Sequence, residues 1–434
     1  MNKFILKGDI VYTPEPEHFK TMENGYVLCE QGICQGVYPS LEQLPDPSWK
    51  EAPIYDYTGK LIIPGITDLH MHAPQYTFRA MGLDLPLLDW LNAYTFPQEE
   101  KYASLNFAEK AYTAFVSDLR KSCITRSVLF GTIHVESDLL LGELLEKTGM
   151  KVLLGKVNMN RNSPESLTET TKKSILDTET FIQKVSKMKN VKPIITPRFV
   201  PSCDEELMEG LGDLAKKYNV PIQSHLNENL AEIAMVANLH PDCATYTSVY
   251  KKYGLLNEKT VMAHCVHLEK EAITQLKESG TYIAHCPQSN INISSGIAPS
   301  VDYLEAGMKM GLGSDIAGGT SLSLFTAAKD AIQVSKMRSF FLEKQRVLSV
   351  PEAFYLMTKG GGQIWAEKNT CDNSYPVGSF EKDYSFDAVV IEDMGLSVLD
   401  DISLEQRAER ILYLADDRHI AAKFVNGEIA YEKP

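Results

Sequence analysis

Pro64-Gly65-Ile66-Thr67-Asp68-Leu69-His70-Met71-His72 closes a long apolar run with two histidines at alternate positions. On an extended backbone alternate side chains share a face, so both imidazoles leave the end of one strand in the same direction. The texture recurs down the chain. Apolar runs at 61–69, 124–133, 151–157, 191–196, 220–226, 260–263, 281–284 and 308–312 read as eight strands. Helical patterns at 204–218, 268–278 and 301–305 lie between them, the last stopped by Ala306-Gly307. This alternation across residues 64–371 predicts an α/β fold, a TIM-like (β/α)8 catalytic barrel. A doubly wound sheet is the alternative; it calls for a glycine-rich dinucleotide loop after an early strand, and the chain has none.

The flanks have a different texture. Short strands at 4–6, 9–12, 25–28 and 32–38 precede the barrel, and strands at 387–391 and 420–425 follow it, with Asn426-Gly427 as a hairpin turn. Neither end buries a sufficient core alone, so residues 1–63 and 372–434 are expected to form one composite β-domain, a small β-sandwich.

Composition limits the function classes. A chain of 434 residues with 44% apolar and 23% charged residues supports a large core and argues against global disorder. A net charge of -14 disfavours nucleic acid or an anionic membrane as partner. Eight cysteines (29, 34, 123, 203, 243, 265, 286 and 371) stand at irregular spacing without a CxxC pair, as in a cytoplasmic protein with reduced thiols. No apolar run is long enough to span a membrane, and no export signal is expected.

The residues that carry chemistry stand where strands run out. His70 and His72 end the first strand, His225 the fifth and His264 the sixth, and Asp315 follows the eighth. In a barrel these loops share one rim, so the five side chains converge, and imidazoles with a carboxylate suit a borderline-soft divalent ion, zinc above all. Each has a plainer reading alone: a buried histidine is usually a hydrogen-bonded core residue, and an aspartate at a strand end is often a helix cap. Their joint placement favours the metal site.

Six segments carry a family resemblance: 64–76, ending Ala73-Pro74-Gln75-Tyr76; Thr196-Pro197-Arg198-Phe199; His225-Leu226-Asn227-Glu228; His264-Cys265-Val266-His267; His285–Asn290; and Gly311–Asp315. The chain resembles the amidohydrolase superfamily of metal-dependent hydrolases and, within it, the guanine deaminases. It departs at Gln288 and Ser314, where the family often has Asn and Thr. The resemblance implies one zinc per chain, with Fe2+ as the substitute, held by His70, His72, His225 and Asp315, with His264 near the same centre at longer range. Two-metal relatives use a carboxylated lysine at the end of the fourth strand; here that strand ends Thr196-Pro197-Arg198, and Lys192 stands at its start.

The resemblance also implies a substrate, guanine, and a reaction with water that yields xanthine and ammonia. Glu228 would move a proton from the attacking water to ring N3, Asp315 would accept the next and help deliver it to the leaving ammonia, and His264 would orient the water and stabilise developing charge. The plainer reading of Glu228 is a favourable charge at the start of the next helix. Gln75 would meet the pyrimidine edge, Arg198 would donate to O6, and Phe199 would contact the base through its backbone, with His72, His225, Glu228 and Asp315 also facing it. Tyr76, Phe78, Trp90, Tyr94 and Phe96 are candidate pocket walls or ordinary packing of the first βα loop. A homodimer is implied by the resemblance alone. Two other readings stay open: a one-metal aminohydrolase acting on a pterin, a triazine or another purine, and a non-catalytic scaffold that keeps the fold.

Overall fold

The computed structural model describes residues 3–342, 346–367, 375–396 and 401–434. The expected domain boundary at 371/372 and Cys371 lie outside the described residues. The two ends of the chain share one seven-stranded sheet, in the spatial order Glu428–Glu432, Ile420–Val425, Ala388–Ile391, Ile54–Pro64, Lys3–Glu15, His18–Glu30, Ile33–Tyr38. The seam between the ends is the antiparallel pairing of Ala388–Ile391 with Leu61–Pro64. Asn426 (φ 49) and Gly427 (φ 75) both adopt the left-handed region in the final hairpin, as a two-residue primed turn requires.

The Phe4 ring lies 5.3 Å from Phe386 and 5.7 Å from Phe424. The strands of Phe4 and Phe424 are three places apart in the sheet, roughly 14 Å if it were flat. The sheet therefore curls over its own apolar face, enclosing Phe4, Leu6, Val27, Cys29, Phe386 and Phe424.

Several strand expectations change, two of them in ways that bear on the architecture. The short strands at 4–6 and 9–12 are one thirteen-residue strand, Lys3–Glu15, with a register shift between Gly8 and Ile10. The run at 61–69 is divided between two sheets. Ile54–Pro64 belongs to the curled sheet, and Ile66–His72 opens the barrel. Both halves are apolar because both are buried, so hydropathy carries no sign of the bend. Gly65 makes the turn where a side chain would collide with Asp387 and Thr125.

In the barrel, Ile66–His72, Ile124–Phe130, Lys151–Gly155 and Val191–Pro193 pair in parallel, as do Ile222–Leu226, Thr260–His264, Tyr282–His285 and Met310–Leu312. The two halves meet at Ile195 and Ile222, while Val157–Asn158 pairs with Thr196–Pro197 above the first joint. The second joint closes the ring: Asp315 N–H donates to the His70 carbonyl at 2.8 Å and His72 N–H to the Ile316 carbonyl at 3.0 Å. This closure is the (β/α)8 barrel and removes the doubly wound alternative. The expected helices form as Glu205–Tyr218, capped by the Asp204 carboxylate, Lys270–Ser279 and Ser300–Glu305.

Among the described residues no helix is long and apolar enough to cross a membrane, and Cys29, Cys34, Cys123, Cys203, Cys243, Cys265 and Cys286 are free thiols. The curled sheet is joined to the barrel floor by buried polar contacts. Arg126 donates to Asp387 at 2.7 and 3.0 Å, to Ser385 at 2.9 Å and to Asn426 at 2.7 Å, and lies over the Trp365 ring. Lys423 donates to the carbonyls of Ser122 and Ile124. Removing one member of a buried pair strands the other's charge, so Asp387→Ala should lower the unfolding free energy by about 3–5 kcal/mol in a denaturant titration. Arg126→Met with Asp387→Leu should cost less than Asp387→Ala alone; a larger loss in the double variant would contradict the assignment of the cost to a stranded charge.

Candidate active site

Neighbouring groups aim several side chains of the site by engaging their other polar atoms or their backbone. The Asp68 carboxylate accepts the N–H groups of His70 (3.0 Å) and Ser314 (3.1 Å), stapling the first strand to the loop of Asp315. Burial pushes its carboxyl up to about 7. His225 donates through Nδ1 to the Arg198 carbonyl at 2.6 Å, which leaves Nε2 as the acceptor facing inward. That Nε2 lies 3.2 Å from Nε2 of His72. Asp315 Oδ1 stands 3.2 Å from His70 Nε2 and 3.6 Å from His72 Nε2.

Burial first, then the neighbouring His70, holds the His72 and His225 imidazoles well below their usual range, so both are neutral. Burial alone would raise the Asp315 carboxyl, but His70, His264 and His72 together hold it well below its usual range. Nε2 of His70 and Nδ1 of His72 are buried without a hydrogen-bond partner. Donor atoms of His70, His72 and His225 lie within 4.8 Å of one another, and so do those of His70, Cys286 and Asp315. Neutral imidazoles with an ionised carboxylate form a donor set suited to one divalent ion. Cys286, whose thiol burial pushes well above its usual range, was not among the sequence candidates.

His264 belongs to neither donor group. It adopts φ 72, gives Nδ1 to the Asn290 side-chain oxygen at 2.9 Å, and turns Nε2 toward Glu228 Oε2 (3.4 Å) and Asp315 Oδ2 (3.8 Å). Glu228 precedes helix Leu230–Leu239 and turns into the pocket. Its plainer role falls to Asn229 as cap and Glu232 as the capping-box partner. Ser295 donates to Glu228 Oε1 at 3.2 Å, and Glu232 accepts the Glu228 N–H at 3.0 Å. Burial first, then Glu232 and Asp315, pushes the Glu228 carboxyl well above its usual range.

Glu228, His264 and Asp315 line one pocket with His72, Gln75, Arg198, Phe199 and His225. Gln75 accepts the Ala317 N–H at 3.1 Å and donates to Glu99 at 3.1 Å. Arg198 donates to both Glu99 oxygens, at 2.6 and 3.1 Å. Of the five candidate wall aromatics only Trp90 lines the pocket, beside Leu87, Leu91 and Ile293. Tyr76 donates to Asp118, Phe78 packs on Trp90, Phe96 lies beneath Arg198 and Tyr94 packs against the core, because the short helices of this loop turn most of its rings away. Lys192 reaches the Met188 carbonyl (2.7 Å), away from the rim, so the fourth strand offers no lysine to a second metal.

Residues 61–430 match the amidohydrolase family. The guanine deaminase of Dictyostelium discoideum is 38% identical, covering 98% of each chain, and that of Rattus norvegicus is 41% identical over 85% of this chain and 82% of its own. A crystal structure of guanine deaminase from C. acetobutylicum, with guanine bound in its active site, superposes with a TM-score of 0.94 at 44% identity, covering 99% of this chain and 100% of that one. With the closed barrel and its rim of imidazoles, these likenesses are decisive: the chain belongs to the amidohydrolase family and, within it, to the guanine deaminases.

Proposed function

We propose that the chain hydrolyses guanine at C2, giving xanthine and ammonia, with one zinc held by His70, His72, His225 and Asp315 and Fe2+ as the alternative ion. The observation that carries this reading is the convergence of that donor set beside a pocket that His72, His225 and Asp315 line together with Glu228, Gln75 and Arg198. The guanine bound in the relative from C. acetobutylicum supports the choice of base. When bound, the ion would supply Lewis acidity, which lowers the pKa of water toward roughly 7.

The protein's own groups do the rest. Glu228, held by Ser295, takes a proton from the attacking water and places it on N3, so that C2 accepts the new C–O bond. Asp315 receives the second proton and passes it to the amine as the C–N bond breaks, releasing ammonia. His264, fixed by Asn290, faces both carboxylates and stabilises charge as it shifts between them. Arg198 donates to O6 and Gln75 meets the pyrimidine edge, with the Phe199 backbone against the base. Trp90, Leu87, Leu91 and Ile293 supply apolar walls that exclude water. The homodimer implied by the resemblance is retained as a proposal.

A panel of guanine, adenine, cytosine, isoguanine and pterins, scored by ammonia release, tests the substrate. Guanine should be the preferred base, and equal or faster release from a pterin or another purine would replace it. Glu228→Gln keeps size and hydrogen bonding but removes the proton carrier. Metal content should stay near one per chain while kcat falls by roughly 10²–10⁴. A variant that retains more than about a tenth of wild-type kcat would assign the ring proton to another group.

A further inference from the structure

Helix Phe96–Glu99 belongs to the segment between the first and second barrel strands. The three-residue spacing sets Phe96 and Glu99 on one helix face, and both meet Arg198. The guanidinium carbon lies 5.2 Å from the Phe96 ring centroid, and the Glu99 carboxylate takes two N–H bonds from the same group. Glu99 is 2% exposed and Arg198 3%, so the pair sits in a dry wall where charge is weakly screened.

Glu99 stands behind the pocket lining, touching the two side chains assigned to the base edge. Its Oε1 accepts Gln75 Nε2–H, and Gln75 Oε1 is taken by the Ala317 N–H. A flipped amide would set its oxygen against a carboxylate and its NH2 against an N–H, so the orientation is locked. Arginine has five N–H donors, and Glu99 engages one on each of two nitrogens. The others remain for a carbonyl, while the carboxylate cancels the positive charge behind them.

We propose that Glu99 is a specificity-determining positioning residue: it locks Gln75 and Arg198 in the orientation that meets a neutral oxopurine, and it neutralises Arg198 so that an anionic purine is not retained. This rests on the guanine reading. Hydrolysis converts a weakly acidic base into xanthine, a stronger acid that ionises near neutral pH. An unpaired guanidinium in this wall would hold that anion, and Glu99 lets it leave.

The test compares metal-replete wild type, Glu99→Gln and Glu99→Asp, each also in an Arg198→Met background. It measures KM and kcat for guanine and the inhibition constant of xanthine at mildly alkaline pH. Glu99→Gln removes the charge at constant size. It should raise the guanine KM and lower the xanthine inhibition constant, each by about tenfold, the scale of one charge-assisted hydrogen bond. Glu99→Asp keeps the charge and should keep weak xanthine inhibition. With Arg198→Met, where no guanidinium is left to hold the anion, Glu99→Gln should not bring xanthine to the affinity it reaches in Glu99→Gln alone. A purely structural ion pair predicts that guanine and xanthine weaken together. That result, or tight xanthine binding in Glu99→Asp, would overturn the proposal. If wild type releases no ammonia from guanine, the functional reading falls and this proposal with it; if wild type is active and Glu99→Gln weakens xanthine, only this proposal falls.

Discussion

Nε2 of His72 and Nε2 of His225 stand 3.2 Å apart in a water-poor centre, with Asp315 against His70 and His72. The centre holds more acceptors than protons. The Arg198 carbonyl fixes the His225 tautomer, burial keeps His72 and His225 neutral, and His70 Nε2 has no hydrogen-bond partner. Gathering such groups away from water is costly unless a cation satisfies them together. The positioning bonds around the site hold that convergence: Asp68 on His70 and Ser314, Asn290 on His264, and Glu232 and Ser295 on Glu228.

The convergence is also what closes the fold. The two backbone bonds that seal the barrel run from Asp315 to His70 and from His72 to Ile316, so the last joint of the ring is made by residues of the donor set and its neighbour. Strain at this joint would reach the site directly. The curled sheet braces the opposite end through Arg126 and Asp387, fixing the floor on which the first two barrel strands stand. Fold stability and site geometry therefore share their supports, and the polar rim is held by an apolar barrel interior of Leu69, Val128, Leu153, Val261 and Ala284.

Much of this was legible in the amino-acid sequence because barrel strands are apolar up to the residue where they emerge. His70, His72, His225 and His264 each interrupt such a run, and Asp315 follows one, so position alone marked them. The supporting carboxylates carried no such mark. Asp68 lies inside an apolar strand next to the histidines and read as part of the motif. Glu99 sits in Pro97-Gln98-Glu99-Glu100-Lys101, which has the composition of a solvated helix, and only the fold turns it inward against Arg198. The run at 61–69 hid a change of sheet, because strands buried in two different cores share one hydropathy. The first-loop aromatics were ambiguous for a related reason: rings that pack and rings that wall a pocket look alike in sequence, and only Trp90 does the latter.

The central claim is that the imidazole–carboxylate centre holds one divalent ion on which guanine hydrolysis depends. The most direct measurement follows xanthine and ammonia from guanine before chelation, after chelation, and after return of one equivalent of zinc or Fe2+. The account predicts equal amounts of the two products, loss of both on chelation with the fold intact by circular dichroism, and recovery at one ion per chain. Undiminished xanthine formation by fully metal-stripped, folded protein would contradict it.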